Sequence, residues 1–149
     1  IFIRLGNRGR LYDVPTTQTQ HKHADHEGAP VGHVKGIRIS NIRAEVTSED
    51  RTRWGIMIAG IPGHPVEDIQ LENIEILFPG GGTAEEAQNS VLEDVTRYPE
   101  QFFFGALPSW GAFIRHARNV KFRNVRLQTR DPDVRERLVI EDVESFVEI

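Results

Sequence analysis

One short phrase, apolar-x-apolar-x-Asn/Asp-apolar, recurs along the chain and limits its fold more than any other feature. It stands at Ile37-Arg38-Ile39-Ser40-Asn41-Ile42, Ile69-Gln70-Leu71-Glu72-Asn73-Ile74 and Val120-Lys121-Phe122-Arg123-Asn124-Val125. A fourth copy, Leu138-Val139-Ile140-Glu141-Asp142-Val143, carries Asp in place of Asn. A second phrase, Trp-Gly followed by apolar residues, repeats at Trp54-Gly55-Ile56-Met57-Ile58 and at Trp110-Gly111-Ala112-Phe113-Ile114. Alternating apolar residues are the mark of a strand with one buried face. Each repeat is too short to bury that face alone, so neighbours must stack to make a core.

The Asn or Asp has a physical role at its place in the phrase. It interrupts the alternation where a strand would have to bend. Asn tolerates the left-handed backbone conformation better than most residues, and its amide can pair with the Asn above and below. A right-handed parallel β-helix uses stacked Asn at a bend in this way. Leucine-rich repeats also place Asn at a bend, but they need a denser leucine pattern than Leu71, Leu127 and Leu138 supply. The expected fold is therefore all-β: a right-handed parallel β-helix, a solenoid, partial and with long loop insertions.

At 149 residues the chain is sized for one domain. A net charge of −4 leaves no basic footprint for nucleic acid and no polybasic membrane patch. The longest apolar run falls far below the roughly 18–20 residues that span a bilayer. With no cysteine, disulfides and Cys-based zinc sites are excluded. Residue 1 is already inside an apolar strand pattern, Ile1-Phe2-Ile3-Arg4-Leu5, so the sequence reads as the C-terminal part of a longer protein, residues 1–149 of one domain.

Taken in order, a strand is expected over 1–6, then a turn with Arg8 and Arg10, and a long polar loop over 13–33. The first Asn repeat follows over 34–47, a charged turn over 48–53, and a nearly unbroken apolar strand over 54–61. Pro62-Gly63-His64-Pro65 stops that strand. The second Asn repeat covers 66–78, and Pro79-Gly80-Gly81-Gly82 opens an insertion that reaches residue 108. Within it Thr83 is placed to cap a short helix through Glu85-Glu86-Ala87 and onward toward Val95. The two phrases return over 110–116 and 119–129, and a final repeat spans 137–149.

Several of these stretches resemble the polygalacturonase family of glycoside hydrolases (family 28), in its bacterial branch. They are Ile1-Phe2-Ile3-Arg4-Leu5-Gly6-Asn7-Arg8, Gly60-Ile61-Pro62-Gly63-His64-Pro65, Tyr98-Pro99-Glu100, Phe104-Gly105-Ala106-Leu107-Pro108 and Gly111-Ala112-Phe113-Ile114-Arg115-His116. The resemblance implies a β-helix that acts on galacturonic-acid-containing pectic polysaccharide, secreted or periplasmic, and hydrolyses with inversion through aspartates. The family's pattern is an Asn-x-Asp, an Asp-Asp pair, a Gly-His-Gly and an Arg-Ile-Lys. This sequence has neither the Asp-Asp pair nor the Gly-His-Gly. Arg38-Ile39-Ser40 has Ser where Lys belongs and is part of an Asn repeat. No catalytic residue is assigned, and the catalytic half is expected upstream of Ile1. The rival reading is a catalytically silent β-helix module for carbohydrate binding or assembly.

Candidate substrate contacts are Arg4, Arg8, His64, Tyr98, Trp110, Arg115 and His116. Arg4, Arg8 and Arg10 offer planar forks for a uronate carboxylate, or else solvated turn cations bridged to Asp13. His64 stands in a tight turn where a structural hydrogen bond competes with a binding role. Tyr98, Phe102, Phe103, Phe104 and Trp110 form either a platform for a sugar ring or an apolar underside pinning the insertion to the strands. Arg115 and His116 follow an inward strand and line a cleft floor in the first reading. His21, His23 and His26 have metal-like spacing without fixed geometry; no metal and no cofactor are assigned. Asn41, Asn73, Asn124 and Asp142 are read as structural. The strand at the N-terminal end is expected to be an open edge that favours self-association.

Overall fold

The computed structural model describes residues 1–7 and 30–149. Arg8, Arg10, His21, His23, His26 and the first part of the expected 13–33 loop therefore lie outside the described residues. Among the described residues the chain is all-β, with six strands: β1 (Phe2–Arg4), β2 (Lys35–Glu45), β3 (Ile56–Ala59), β4 (Val66–Phe78), β5 (Ser109–Thr129) and β6 (Glu136–Glu148). All pair in parallel, in the order β1-β3-β5-β4-β2, with β6 on the other side of β5. The sheet curls. β5 runs unbroken beside both β3 and β4, so the expected strands over 110–116 and 119–129 are one.

The strands stack as four tiers: β1 with β2, β3 with β4, then β5, then β6. The last two tiers are 26 residues apart along the chain, as at Arg118 and Glu144. The step from β4 to β5 is 51 residues, because the 79–108 insertion lies between them.

A strand turns sharply only where one residue leaves the β region, and here those residues fall into columns. Asn41, Asn73 and Asn124 have φ of 60°, 53° and 50°. The Asn73 amide donates to Asn41 Oδ1 at 3.1 Å, and the Asn124 amide to Asn73 Oδ1 at 2.9 Å. A second column runs Gly36, Asp68, Asn119 and Ser145, all at positive φ, and Asn119 donates to Asp68 Oδ1 at 2.7 Å. That bond is the main cause holding the Asp68 carboxyl below its ordinary pKa. The third column is His116 over Asp142, both at φ 48°.

Asp142 is thus not the fourth member of the Asn41 column, as its phrase implied. Leu138-Val139-Ile140 pairs with Ala112-Phe113-Ile114, the second phrase, and Asp142 sits one corner away from Asn124. The phrase marks a bend between two apolar runs and does not say which corner the bend occupies.

Two apolar layers flank the tiers. Ile56, Ile58, Leu71, Ile114 and Phe122 point to the inside of the curl and are fully buried. On the outside, Met57, Ala59 and Phe113 pack with Val91, Phe104 and Leu107 of the insertion. β3 is therefore covered on both faces, which explains its unbroken apolar run. The end tiers have a neighbour on one side only. Ile39 and Ile42 are half-buried, whereas the residues they stack on, Leu71 and Ile74, are buried.

The insertion is held at its start by stacked turns. Asp131 donates to Pro79 O at 2.9 Å, and Gly81 to Pro132 O at 3.0 Å. Gly80 has φ +84°, and a Cβ there would lie 2.0 Å from Asp131 O, so only glycine fits. Behind this turn a buried ion pair ties Arg135 to Asp133, with Nη2 to Oδ2 at 2.7 Å and Nε to Oδ1 at 3.0 Å. Arg135 also donates to Leu107 O at 3.2 Å, and Gly82 donates to Asp133 at 2.9 Å. The pair thereby joins both ends of the insertion to the β5–β6 turn.

The expected helix after Thr83 is one 3-10 turn, Glu86–Gln88. Thr83 and Glu86 cap each other, Glu86 N to Thr83 Oγ1 at 3.2 Å and Thr83 N to Glu86 Oε2 at 2.8 Å. It ends there because Asn89 is extended and donates to Ala106 O, and because Val91 is drawn onto the outer layer.

Two outcomes follow for stability. In urea denaturation Asn73→Ala is expected to lose about 2–3 kcal/mol, from left-handed strain and two lost hydrogen bonds. Asn73→Gly should lose less, since it keeps the backbone shape; equal losses would deny the corner its role. Asp133→Asn is expected to lose about 3–5 kcal/mol near neutral pH, because Arg135 is left buried without its partner. Burial alone would raise the Asp133 carboxyl, but the bonds from Arg135 and Gly82 outweigh it and hold it below its ordinary 3.8. Its stabilisation is present above that value and lost as pH falls through the lower, folded-state value. The gap between wild type and variant should therefore close only in acid below about pH 3.8. A gap independent of pH would overturn the assignment.

Candidate functional site

The corner where β3 gives way to β4 holds the residues with chemistry. Gly60 follows β3 and donates to Arg115 O at 3.0 Å. A Cβ on Gly60 would lie 2.4 Å from His116 O and 2.6 Å from His64 O, so the corner closes only around glycine. Beyond it Ile61 and His64 exchange backbone bonds of 3.1 and 2.9 Å, which pinches Pro62-Gly63 into a projecting turn.

His116 is set by its left-handed backbone to face two carboxylates. Nδ1 is 2.5 Å from Asp142 Oδ2 and Nε2 is 3.0 Å from Glu93 Oε1. The ring is thus held between two carboxylates, one against each nitrogen. Next to it Arg115 is buried and donates to Val91 O at 2.8 Å and to Leu92 O at 3.0 Å, with Glu93 Oε1 3.3 Å away. The Arg4 guanidinium donates to Gly60 O and Glu93 O and lies over the Phe104 ring, 5.1 Å from its centre. Burial, and then the positive charge of Arg115, lower the Arg4 pKa from its ordinary value.

Arg4, Arg115 and His116 thus converge on one residue, Glu93. His64 is exposed on the neighbouring turn. Tyr98 lies out on the insertion, 52% exposed. Trp110 is the second residue of β5, edge-on to Phe78 at 6.4 Å. Phe104 takes the pinning role, packed beneath the insertion and 6.2 Å from Phe2. Arg8 is outside the described residues.

Against this cluster opens a hollow of about 210 Å³ lined by Ile61, Gly63, Pro65, His116, Arg118, Asp142 and Glu144. Arg118 bridges Glu144 at 2.7 Å and Glu67 at 3.3 Å. The wall presents the Arg118 guanidinium as donor and the Asp142 and Glu144 carboxylates as acceptors, a mixture that suits hydroxyl groups. Among the described residues no group of three or more His, Asp or Glu side chains is arranged to hold a metal ion.

Glu93, Arg118 and Glu144 were not singled out from the sequence, and Asp142 was read as purely structural. Glu93 sits in an insertion with no periodicity, so its arrival beside His116, 23 residues away, has no local signal. Arg118 and Glu144 are outward positions of strands, where charge is the ordinary expectation. No family model, no curated protein and no solved structure matches the chain.

Arg115→Ala should loosen the insertion before the sheet. It leaves the Val91 and Leu92 carbonyls unpaired and removes the Arg115–Glu93 ion pair, a loss of roughly 2–4 kcal/mol. Hydrogen exchange should accelerate over residues 89–97 while β4 stays protected. Uniform acceleration across the chain would show that Arg115 serves the whole core instead.

Proposed function

We propose that this chain is a portion of a right-handed parallel β-helix that binds galacturonic-acid-containing pectic polysaccharide, within a polygalacturonase-like glycosidase acting outside the cytoplasm. The observation that carries the reading is the meeting of Arg4, Arg115 and His116, all from phrases resembling that family, beside a hollow of mixed donors and acceptors. In this reading the uronate carboxylate faces Arg118, and ring hydroxyls face Asp142 and Glu144. Inverting hydrolysis needs an acid and a base carboxylate set roughly 6.5–9.5 Å apart across the scissile bond. The sequence offers no Asp-Asp pair for that work, so this chain contributes binding, and cleavage belongs to residues it does not contain.

A specific observation favours a second reading, a catalytically silent module for binding or assembly. The Arg4 and Arg115 guanidiniums are committed to backbone carbonyls of Gly60, Val91, Leu92 and Glu93, which leaves them holding the insertion in place.

Titration with an oligogalacturonate, followed by NMR of the His116 ring, separates the outcomes. The first reading expects the ring signals to move with the uronate oligomer and not with neutral galactose oligomers. Arg118→Ala should weaken that binding about tenfold, as loss of one charge-assisted hydrogen bond of about 1.5 kcal/mol does. No response to either oligomer sinks the binding site; an equal response to both sinks the role given to the carboxylate.

A further inference from the structure

Arg115 and His116 set a guanidinium and a ring nitrogen around one point, and the chain's own Glu93 fills it. Glu93 Oε1 lies 3.0 Å from His116 Nε2 and 3.3 Å from Arg115 Nη1. Arg4 brings a second guanidinium to the same place. Burial and then the charge of Arg115 lower its pKa, while the charges of Glu93 and Asp94 oppose both. Two guanidiniums that sense each other in this way call for an anion between them.

The backbone of the insertion is fixed here without that carboxylate. The carbonyls of Val91, Leu92 and Glu93 are gripped in succession, the first two by Arg115 and the third by Arg4. The carboxylate itself fits incompletely. Glu93 Oε2 and Arg115 Nε are both buried without a hydrogen-bond partner among the described residues, a mismatch that weakens the hold on it. The Glu93 side chain is also 41% exposed, against 8% for Arg115 and 13% for His116. The receiving groups are buried and fixed, and their occupant stands at the surface.

We propose that Glu93 is an internal stand-in for a ligand carboxylate, which takes its place on Arg115 and His116 when the Glu93 side chain swings out; this rests on reading the corner as a uronate site. A galacturonate oligomer carries one carboxylate per sugar. One faces Arg118 across the hollow, and that of a neighbouring unit replaces Glu93. Displacement is needed because Asp142 at His116 Nδ1 and Glu141, 3.7 Å from Arg115 Nη1, already crowd the same groups with negative charge. An anion added beside Glu93 would be the fourth carboxylate there, whereas displacement keeps the number at three. The movement is a side-chain rotation, since the carbonyls of 91–93 stay bound. A tethered competitor weakens every incoming carboxylate alike. Only a ligand with further contacts in the hollow overcomes it, so Glu93 selects the oligomer against small acids.

Titrations with sodium acetate and with oligogalacturonate test this, read from the His116 ring by NMR at an ionic strength held constant with chloride. Glu93→Gln keeps the shape of the side chain and removes its charge, and Glu93→Ala empties the site. Both should bind acetate at least tenfold more tightly than the wild type, with thermal melts verifying that they fold. In the wild type, saturating oligogalacturonate should move the Glu93 carboxyl carbon signal toward that of a solvated glutamate, while hydrogen exchange over residues 89–97 stays slow. A gain in acetate affinity with no response to oligogalacturonate sustains the carboxylate site and sinks the pectic reading. Oligogalacturonate bound by the wild type, with no gain in either variant and a stationary Glu93 signal, overturns the displacement and leaves the pectic reading standing. Faster hydrogen exchange over 89–97 in Glu93→Gln also overturns it, since the carboxylate would then be an anchor.

Discussion

Every tier of this molecule depends on a few residues held at positive φ. A β-strand is straight to within its twist, so a sheet can curl around an apolar interior only if single residues leave the β region at matching heights. That conformation disfavours a side chain by roughly 1–2 kcal/mol, and stacked amides offset it. Asn73 is the clearest case, giving its amide to Asn41 and receiving that of Asn124. Because the bonds run between tiers, each corner also sets the register of the next strand. A slip by one residue would take Leu71 and Phe122 out of the interior and unpair the column at the same time.

The corners also arrange the chemistry. The third column carries His116 and Asp142 where the first carries amides, and the same left-handed backbone aims an imidazole across the tier boundary. The insertion then brings Glu93 to its other nitrogen. Arg4 and Arg115 anchor that insertion through its carbonyls, and Phe104 anchors it through burial, while the Asp133–Arg135 pair locks both its ends to the β5–β6 turn. A polar hollow opens beside this anchored corner, with His116 and Asp142 in its lining.

Charge follows the same logic as the corners. In a parallel stack, equivalent positions lie directly above one another, so like charges on consecutive tiers would repel at close range. In the column Lys35, Glu67, Arg118 and Glu144 the sign alternates from tier to tier, which avoids this. Exposed pairs of this kind each contribute little to stability. Their consequence lies in register.

The sequence by itself determined the all-β class, the stacking of short parallel strands, and the Asn corners, because period-two alternation and left-handed tolerance are properties of single residues and their nearest neighbours. It also marked β4 to the residue, since Pro65 and Pro79 stop it on both sides. Only the tertiary structure decided which corner each phrase occupies, since Asn124 and Asp142 sit in the same local pattern and differ only in what lies above and below them. It alone brought Glu93 to His116 and turned the expected helix after Thr83 into a single turn, as the outer face of Met57 and Phe113 drew Val91 and Phe104 inward. Such contacts join positions separated by an aperiodic insertion, and burial of an apolar face fixes them at a distance that no local pattern spans.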